Sequence, residues 1–281
     1  MTTIGLLHPG EMGASVGACA RANGSRVLWV SEGRGAETRQ RAAAAGLEDA
    51  GTLRALVAAS DVVLSVCPPH AAGDVARQVA GLGFRGLYVD GNAVAPATAQ
   101  AIEGIVRAAG ATYVDGGLIG PPPDKPGTTR LYLSSAAAGR VSPLFANGPL
   151  EAIVLSGSPT AASAIKMAYA AWTKGSQALL MAVRALGAAE GVDEALLAEW
   201  HRSQPDLPKR SDNAARSTSR KAWRWVGEMH EIAETFKDAG LPDGFHRGSG
   251  EVYRRMAPYK DAAAAPSMDD VAKTLLKEAG V

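Results

Sequence analysis

The sequence predicts an α/β protein in which a doubly wound, mostly parallel Rossmann sheet is followed by an all-α domain. Short apolar runs alternate with helical stretches in the first half, and a glycine-containing turn directly follows the first run. Strand-like runs stop after Gly157-Ser158-Pro159. Alternating strands and helices indicate βαβ units. We therefore predict a dinucleotide-binding domain over residues 1–158 and a helical substrate and dimerisation domain over residues 159–281.

Each predicted strand is a short run rich in aliphatic residues, and each predicted helix is longer and ends near a glycine or a polar turn. The predicted strands are Thr3 to Leu7, Arg26 to Val30, Asp61 to Cys67, Leu87 to Asp90, Ala111 to Asp115, Arg130 to Ser134 and Ala152 to Leu155. The predicted helices are 13–23, 37–45, 160–186, 194–202, 219–239 and 269–279. Right-handed crossovers would place the helices of the first half on both faces of the sheet.

Composition excludes several classes of protein. Of 281 residues, 47% are hydrophobic and 20% are charged, with a formal net charge of +1, which favours a globular protein with neither a nucleic-acid nor a membrane partner. No apolar run reaches the length of about 18 residues that a membrane span needs. The start of the chain lacks the pattern of a secretory signal, so we predict a cytoplasmic protein. Two cysteines and five histidines without ligand spacing predict no metal site.

The most informative segment is the turn after the first strand, at Gly10, Glu11, Met12 and Gly13. Glycine there allows the backbone to approach a pyrophosphate, and the following helix N-terminus offers N–H groups. The motif lacks one glycine, since His8 stands where the usual pattern has the first. Its place between a strand and a helix favours a cofactor site over an ordinary strand–helix turn.

The end of the second strand favours NADP(H) over NAD(H), which stays the alternative. Ser31, Arg34, Thr38 and Arg39 suit a 2′-phosphate, whereas Glu32 is the carboxylate expected for ribose hydroxyls.

Lys166 lies in an apolar helical segment that is almost without other charge. Desolvation would lower the pKa of such a lysine and suit it to proton exchange, whereas a lysine that extends its head into water is the alternative. Thr173 and Lys174 fall near the same helix face, where Thr173 could make a polar contact and Lys174 could be a second cation or a solvated residue.

Landmarks along nearly the whole chain resemble the β-hydroxyacid dehydrogenase superfamily, which includes 6-phosphogluconate and 3-hydroxyisobutyrate dehydrogenases and imine reductases. The landmarks are the 8–13 turn, 66–69 after the third strand, 90–96, 115–120, Lys166 and 223–233. The sequence is most similar to the branch called phosphogluconate-dehydrogenase-like, NAD-binding.

The resemblance implies roles for several residues. Cys67 and Pro68 would line the cofactor, Asn92 would face the nicotinamide, and Gly116 and Gly117 would lie in a substrate loop. Lys166 would be the catalytic lysine. The α domain would bring residues at Glu228 to the substrate and would form a homodimer.

Two departures from the family bear on the substrate, because Ile119 replaces a hydroxyl residue and Ala170 replaces an asparagine. Three functions therefore stay open: hydride transfer with a hydroxyacid or with an alcohol and its carbonyl, reduction of a C=N bond, and a silent NADP(H)-binding protein.

Two charged features have less specific interpretations. Glu228 and Glu231 lie three residues apart on one predicted helix, a pattern typical of a solvent-facing edge, although paired carboxylates can also transfer protons. The basic stretch from Lys209 to Arg224 is interpreted as a solvated face, with an anionic-substrate pocket as the alternative.

Overall fold

A computed structural model describes residues 1–277, which form two compact units, Met1–Met167 and a second unit that begins at Ala168. The strands of the first unit are β1 (Thr3–Leu6), β2 (Arg26–Trp29), β3 (Glu48–Asp49), β4 (Val62–Ser65), β5 (Leu87–Asp90), β6 (Thr112–Ile119), β7 (Thr129–Ser134) and β8 (Leu150–Val154). Its helices are α1 (Glu11–Ala22), α2 (Ala36–Ala44), α3 (Leu53–Ala59), α4 (Pro69–Gly81) and α5 (Pro96–Ala108). The later helices are α6 (Ala161–Ala189), α7 (Asp193–Ser203), α8 (Leu207–Thr218), α9 (Ala222–Asp238), α10 (Gly244–Arg255) and α11 (Met268–Leu276).

The strands form one sheet in the order β3-β2-β1-β4-β5-β6-β7-β8. The strands from β3 to β6 are parallel, β7 runs antiparallel to β6, and β8 is parallel to β7. This topology confirms the predicted Rossmann-type sheet and the helical second half. Because parallel strands end at one edge, the loops after β1, β2, β4 and β5 meet there.

Each face of the sheet has its own apolar core. Val63 and Leu64 are consecutive in β4 and belong to different cores, as the alternation of side chains along a strand requires. One core contains residues of α1, such as Val16, and the other contains Ala76 of α4 and Ile102 of α5. The helices therefore cover both faces.

Two helices of the second half, α8 and α10, were not predicted. Their buried residues have helical spacing, but most are small or polar: Ser211, Ala214, Ala215 and Thr218 in α8, and His246, Ser249, Gly250 and Tyr253 in α10. Because most of these residues are not hydrophobic, the sequence shows no helical periodicity of hydrophobic residues in these two segments. The last predicted helix reaches Ala279, which lies outside the described residues.

The boundary between the two units falls inside α6, after Met167, because the first turns of this helix pack against β6. Secondary structure changes earlier, since β8 ends at Val154 and α6 begins at Ala161. No helix within residues 1–277 has both the length and the apolar character for crossing a bilayer.

Candidate functional site

The turn between β1 and α1 is built so that only glycine fits at Gly13. A Cβ at Gly13 would lie 2.2 Å from the carbonyl oxygen of His8, whereas a Cβ at Gly10 would meet no atom of the described chain within 4 Å. The turn is closed by the Gly10 N–H, which donates to His8 O at 2.9 Å. Gly10 is the N-cap of α1 and provides no side-chain hydrogen bond to the first turn, where Glu11 and Met12 follow it.

The loop after β2 presents Arg34 and is held by Arg39. The Arg39 guanidinium donates to Ser31 O at 2.8 Å and to Arg34 O at 3.2 Å, so Arg39 fixes the loop backbone. Ser31 is buried and Arg34 is half-buried. Among residues 1–277 no ion pair of Arg34 is found. Glu32 is exposed and lines a groove of about 540 Å³.

The positive charge of Arg34 affects the pKa values of His8 and Cys67, which follow β1 and β4. Burial and the nearby positive charge of Arg34 lower the pKa of His8 to about 4. Burial raises the pKa of the Cys67 thiol to about 11, although a hydrogen bond from Ser65 and the charge of Arg34 oppose this shift. His8 is therefore neutral and Cys67 is a protonated thiol at neutral pH.

Asn92 joins the loops that follow β4 and β5. Its side chain is 2% exposed, its Oδ1 accepts from the Cys67 N–H, and its Nδ2 donates to Ser65 Oγ at 3.0 Å. The Asn92 N–H donates to Asp90 Oδ1 at 3.0 Å. The amide thus fixes the backbone at Cys67 and Pro68, and its assignment to the cofactor stays a prediction.

Lys166 reaches the same edge of the sheet. Its Nζ donates to Leu118 O at 2.9 Å, and its side chain is half-buried. Leu118 lies in the part of β6 that extends beyond the pairing of Asp115 with Asp90, the last residue of β5. A Cβ at Gly91, beside Asn92, would lie 3.8 Å from the Leu118 side chain. Lys166 and the loop that contains Asn92 therefore both lie beside Leu118.

Gly116 and Gly117 lie inside β6, where the sequence predicted a loop. They pair with Leu133 and Tyr132 of β7. A Cβ at Gly117 would lie 2.5 Å from Ala162 O, and one at Gly116 would lie 2.9 Å from Asp90 O. The glycines therefore allow close packing of β6 against α6 and the end of β5, and their substrate role stays a prediction.

Within the helical unit, Glu228 is buried and pairs with Lys174, so the solvent-facing interpretation of Glu228 was wrong, and Lys174 is half-buried. Lys174 Nζ lies 2.5 Å from Glu228 Oε1, with the two side chains 13% and 10% exposed. Thr173 donates to Tyr169 O at 3.0 Å, within its own helix. Substrate binding by Thr173 and Glu228 stays a prediction. The basic residues from Lys209 to Arg224 are exposed.

Sequence reasoning missed the two aspartates that organise this edge, Asp90 and Asp115. Each is buried and follows three residues of an apolar strand. A carboxylate at such a position was the available signal, because it must be hydrogen-bonded when it is buried. No cluster of three or more potential metal-ligating side chains occurs in residues 1–277.

Three features of the β1–α1 turn fit the diphosphate of a dinucleotide. The side of Gly10 is open, the N-cap position of α1 has no capping side chain because it is Gly10, and buried His8 Nδ1 has no hydrogen-bond partner among residues 1–277. Helix N-termini with accessible N–H groups bind phosphate. The residues present are therefore suited to the cofactor that the fold implies.

Comparison with known proteins places the fold among dehydrogenases and reductases. Residues 188–256 match the model of a domain of unknown function, DUF1932. Mycobacterium tuberculosis 3-hydroxyisobutyrate dehydrogenase is 17% identical, with a TM-score of 0.71 over 98% of this chain and 99% of that one. A conserved hypothetical protein of Sinorhizobium meliloti is 25% identical, with a TM-score of 0.69 over 98% and 96%.

A reductive aminase from Aspergillus terreus, solved with NADPH and ethyl levulinate, is 17% identical, with a TM-score of 0.56 over 97% and 99% of the two chains. No curated protein matches this sequence. The protein therefore shares the fold of NAD(P)-dependent oxidoreductases, and the resemblance identified in the sequence is confirmed at the level of the fold.

Proposed function

We propose that this protein is a nicotinamide-dependent oxidoreductase that acts on a small polar substrate, a hydroxyacid or an alcohol and its carbonyl, with Lys166 as general acid or base. The observation that carries the proposal is the position of Lys166 Nζ, 2.9 Å from Leu118 O at the edge of the sheet where the glycine turn and Asn92 also lie. A general acid or base must lie within hydrogen-bond reach of the reacting group.

In this proposal the Gly10–Gly13 turn, including Glu11 and Met12, holds the diphosphate. Ser31 and Arg34 hold the ribose end, with Arg34 favouring a 2′-phosphate and hence NADP(H) over NAD(H). Cys67, Pro68 and Asn92 line the rest of the cofactor. When bound, the nicotinamide supplies or accepts a hydride, and the chain contributes orientation and proton transfer. The fold shared with a dehydrogenase and with an NADPH-binding reductive aminase supports this assignment.

Reduction of a C=N bond is the second candidate. Ile119 and Ala170 are both buried and apolar where the related sequences carry polar side chains. A neutral or cationic substrate does not need a polar clamp for a carboxylate, and the reductive aminase has the same fold.

We also propose that the protein is a cytoplasmic homodimer. Trp172, Leu179 and Leu186 are 68%, 49% and 61% exposed and follow one another at seven-residue intervals on α6, so they share one helix face. A second copy would cover this face. Light scattering at micromolar concentration should show a dimer, and Leu179→Glu should shift it to monomer; a wild-type monomer would contradict the proposal.

The proposed function is tested with NADPH and NADP⁺ on a panel of hydroxyacids, alcohols, ketones and imines. Lys166→Met retains the apolar contacts but removes the proton-transfer group, so turnover on the best substrate should fall at least about a hundredfold, with NADPH affinity nearly unchanged. The control is Lys209→Met, the same change at an exposed lysine. Normal turnover in Lys166→Met would exclude this role for Lys166, and no turnover of any substrate would favour a silent binding protein.

A further inference from the structure

The N-terminus of α6 is attached to β6 by a buried carboxylate. Asp115 is fully buried, and its Oδ2 accepts from the Ser163 N–H at 2.8 Å while its Oδ1 accepts from Ser163 Oγ at 2.6 Å. Burial raises the pKa of Asp115, and the hydrogen bonds from Ser163 and Ser134 oppose this shift. A carboxylate at a helix N-terminus also interacts favourably with the helix dipole.

Ser134 on β7 forms a second attachment. Its Oγ lies 3.0 Å from Asp115 Oδ2 and accepts from the Ala162 N–H at 3.0 Å. The same oxygen is 2.9 Å from Pro159 O, directly before the helix. Two strands and the first turn of α6 therefore share one buried hydrogen-bond network, which fixes both the position of the helix along β6 and its rotation.

Lys166 lies on the same helix face as this network. It follows Ser163 by three residues and Ala162 by four, the spacings that place side chains on one face of a helix. A Cβ at Gly117 would lie 3.2 Å from the Lys166 Cβ, so the helix and the strand are in close contact at this lysine. Lys166 Nζ then returns to β6 at Leu118 O, three residues beyond Asp115.

We propose that Asp115 is a positioning residue for Lys166: its bonds to Ser163 set the register of α6 on β6 and thereby hold Lys166 Nζ at Leu118. Asp115 touches neither substrate nor cofactor in this proposal and acts through α6. The inference rests on the proposed role of Lys166 in proton transfer.

The chain offers a matched control in Asp90, which pairs with Asp115 across neighbouring strands. Asp90 is equally buried, but its Oδ1 accepts from the Asn92 N–H, so it organises the loop between β5 and α5. The two aspartates are equally buried and occupy paired positions on neighbouring strands. Asp90 holds the loop after β5, whereas Asp115 holds α6. Asp90→Asn should therefore affect NADPH binding, and Asp115→Asn should affect Lys166.

The first experiment needs no substrate. Intact protein is treated briefly with a limiting amine-acylating reagent, and the modification of Lys166 relative to exposed Lys209 is measured by peptide mass spectrometry. In Asp115→Asn an NH2 group replaces one of the two carboxylate oxygens that accept from Ser163, and the relative modification of Lys166 should rise about fivefold, the effect of losing one typical hydrogen bond. It should stay at the wild-type value in Asp90→Asn, whereas NADPH affinity falls in that variant and stays within about twofold in Asp115→Asn.

Ser163→Ala is a milder change, because it removes the hydrogen bond from Ser163 Oγ to Asp115 and retains the one from the Ser163 N–H. This variant tests the positioning role if Asp115→Asn does not fold. A smaller rise at Lys166 is expected. Unchanged modification of Lys166 in every folded variant, or an equal rise in Asp90→Asn, would overturn the positioning role.

Once a substrate has been identified, its turnover by Asp115→Asn should be at least about tenfold lower than by the wild type, with KM for NADPH unchanged. The reason is that displacement of Lys166 affects the chemical step and not cofactor binding. Normal turnover in Asp115→Asn together with a loss in Lys166→Met would overturn this inference alone. Normal turnover in Lys166→Met would overturn the proposed function itself.

Discussion

The two units of the molecule satisfy their buried polar groups in different ways. In the helical unit, Lys174 pairs with Glu228, and Arg184 makes a bidentate pair with Asp193 at 2.6 and 2.9 Å. In the sheet unit, Asn92 bonds to the backbone of a neighbouring loop, and Asp115 bonds to the backbone and hydroxyl group of Ser163 in α6.

This difference separates polar groups that hold helices together from polar groups that shape a binding edge. Paired opposite charges inside one unit satisfy each other, so they need no ligand. By contrast, Arg34 of the sheet unit forms no ion pair within residues 1–277. One histidine in each unit, His8 and His246, has a buried Nδ1 without a hydrogen-bond partner among those residues. In the proposed function, Arg34 pairs with an anionic group of the cofactor.

The largest expected effect is on the helical unit. Lys174→Met removes the ammonium group that pairs with the buried Glu228 carboxylate and should lower the free energy of unfolding by about 3–5 kcal/mol. The double variant Lys174→Met/Glu228→Met should recover most of this loss. Urea unfolding followed by circular dichroism measures both.

The control for this prediction is an exposed pair, Arg254 with Glu251, whose side chains are 53% and 41% exposed. Arg254→Met should cost less than about 1 kcal/mol. A loss in Lys174→Met as small as that of the exposed pair would mean that Lys174–Glu228 is not a structural pair.

The second prediction separates binding from folding within one turn. A methyl group at Gly10 meets no described atom, and the backbone there, with φ −68°, suits alanine, so Gly10→Ala should retain the melting temperature. It should nevertheless weaken NADPH binding about ten- to a hundredfold, because the diphosphate needs that open side.

Gly13→Ala is the matched comparison, because its methyl group would clash with His8 O and should lower the melting temperature as well as NADPH affinity. Calorimetric titration and thermal melting measure the two properties. Unchanged NADPH binding in Gly10→Ala would place the diphosphate elsewhere.

The third prediction concerns the ribose end. Arg34→Ala removes a charge-assisted contact to a 2′-phosphate and should reduce the preference for NADPH over NADH about ten- to a hundredfold. Arg54→Ala, at the groove that Glu32 lines, is the control and should leave the preference unchanged. Equal wild-type affinities for the two cofactors would contradict the NADP(H) assignment.

The smallest effect is a dependence of stability on pH, since burial lowers the pKa of one histidine in each unit, His8 to about 4 and His246 below its usual value of 6.5. Just below pH 6.5, both histidines remain neutral in the folded protein, whereas they bind a proton in the unfolded chain. Stability is therefore full above pH 6.5 and falls as pH drops below it. Between pH 6.5 and 5 the wild-type melting temperature should fall.

His8→Asn and His246→Asn should each flatten this dependence in part, because each removes one titrating group. The exposed His201 provides the control, and His201→Asn should leave the slope unchanged. A wild-type melting temperature that is constant over this range would contradict the neutral burial of both histidines.

Local patterns predicted every strand except β3, which consists of Glu48 and Asp49 and has no apolar residue, and β5 occurs at the predicted residues. The patterns failed where burial depends on small residues, as in α8 and α10. The patterns also failed at the end of β6, where two consecutive glycines are typical of a loop. Pairing with β7 extends the strand through both glycines.

The candidate site shows the same limit. Lys166 stood out as a charge in an apolar segment, and the glycine turn stood out by its place after a strand. The pairing of Asp115 with Ser163, which attaches α6 to β6, could not be recognised in the sequence. The two residues are 48 positions apart and meet only when β6 and α6 pack. Contacts between distant parts of a chain leave no periodic signal.

The two consecutive glycines in β6 have a consequence for protein engineering. Any side chain at Gly116 or Gly117 would collide with main-chain oxygens, which cannot move aside as a flexible side chain can. A saturation library at these two codons should therefore return glycine almost alone among folded clones. Whatever these two positions contribute to ligand choice is encoded in their backbone, and directed evolution of new selectivity would have to vary other positions.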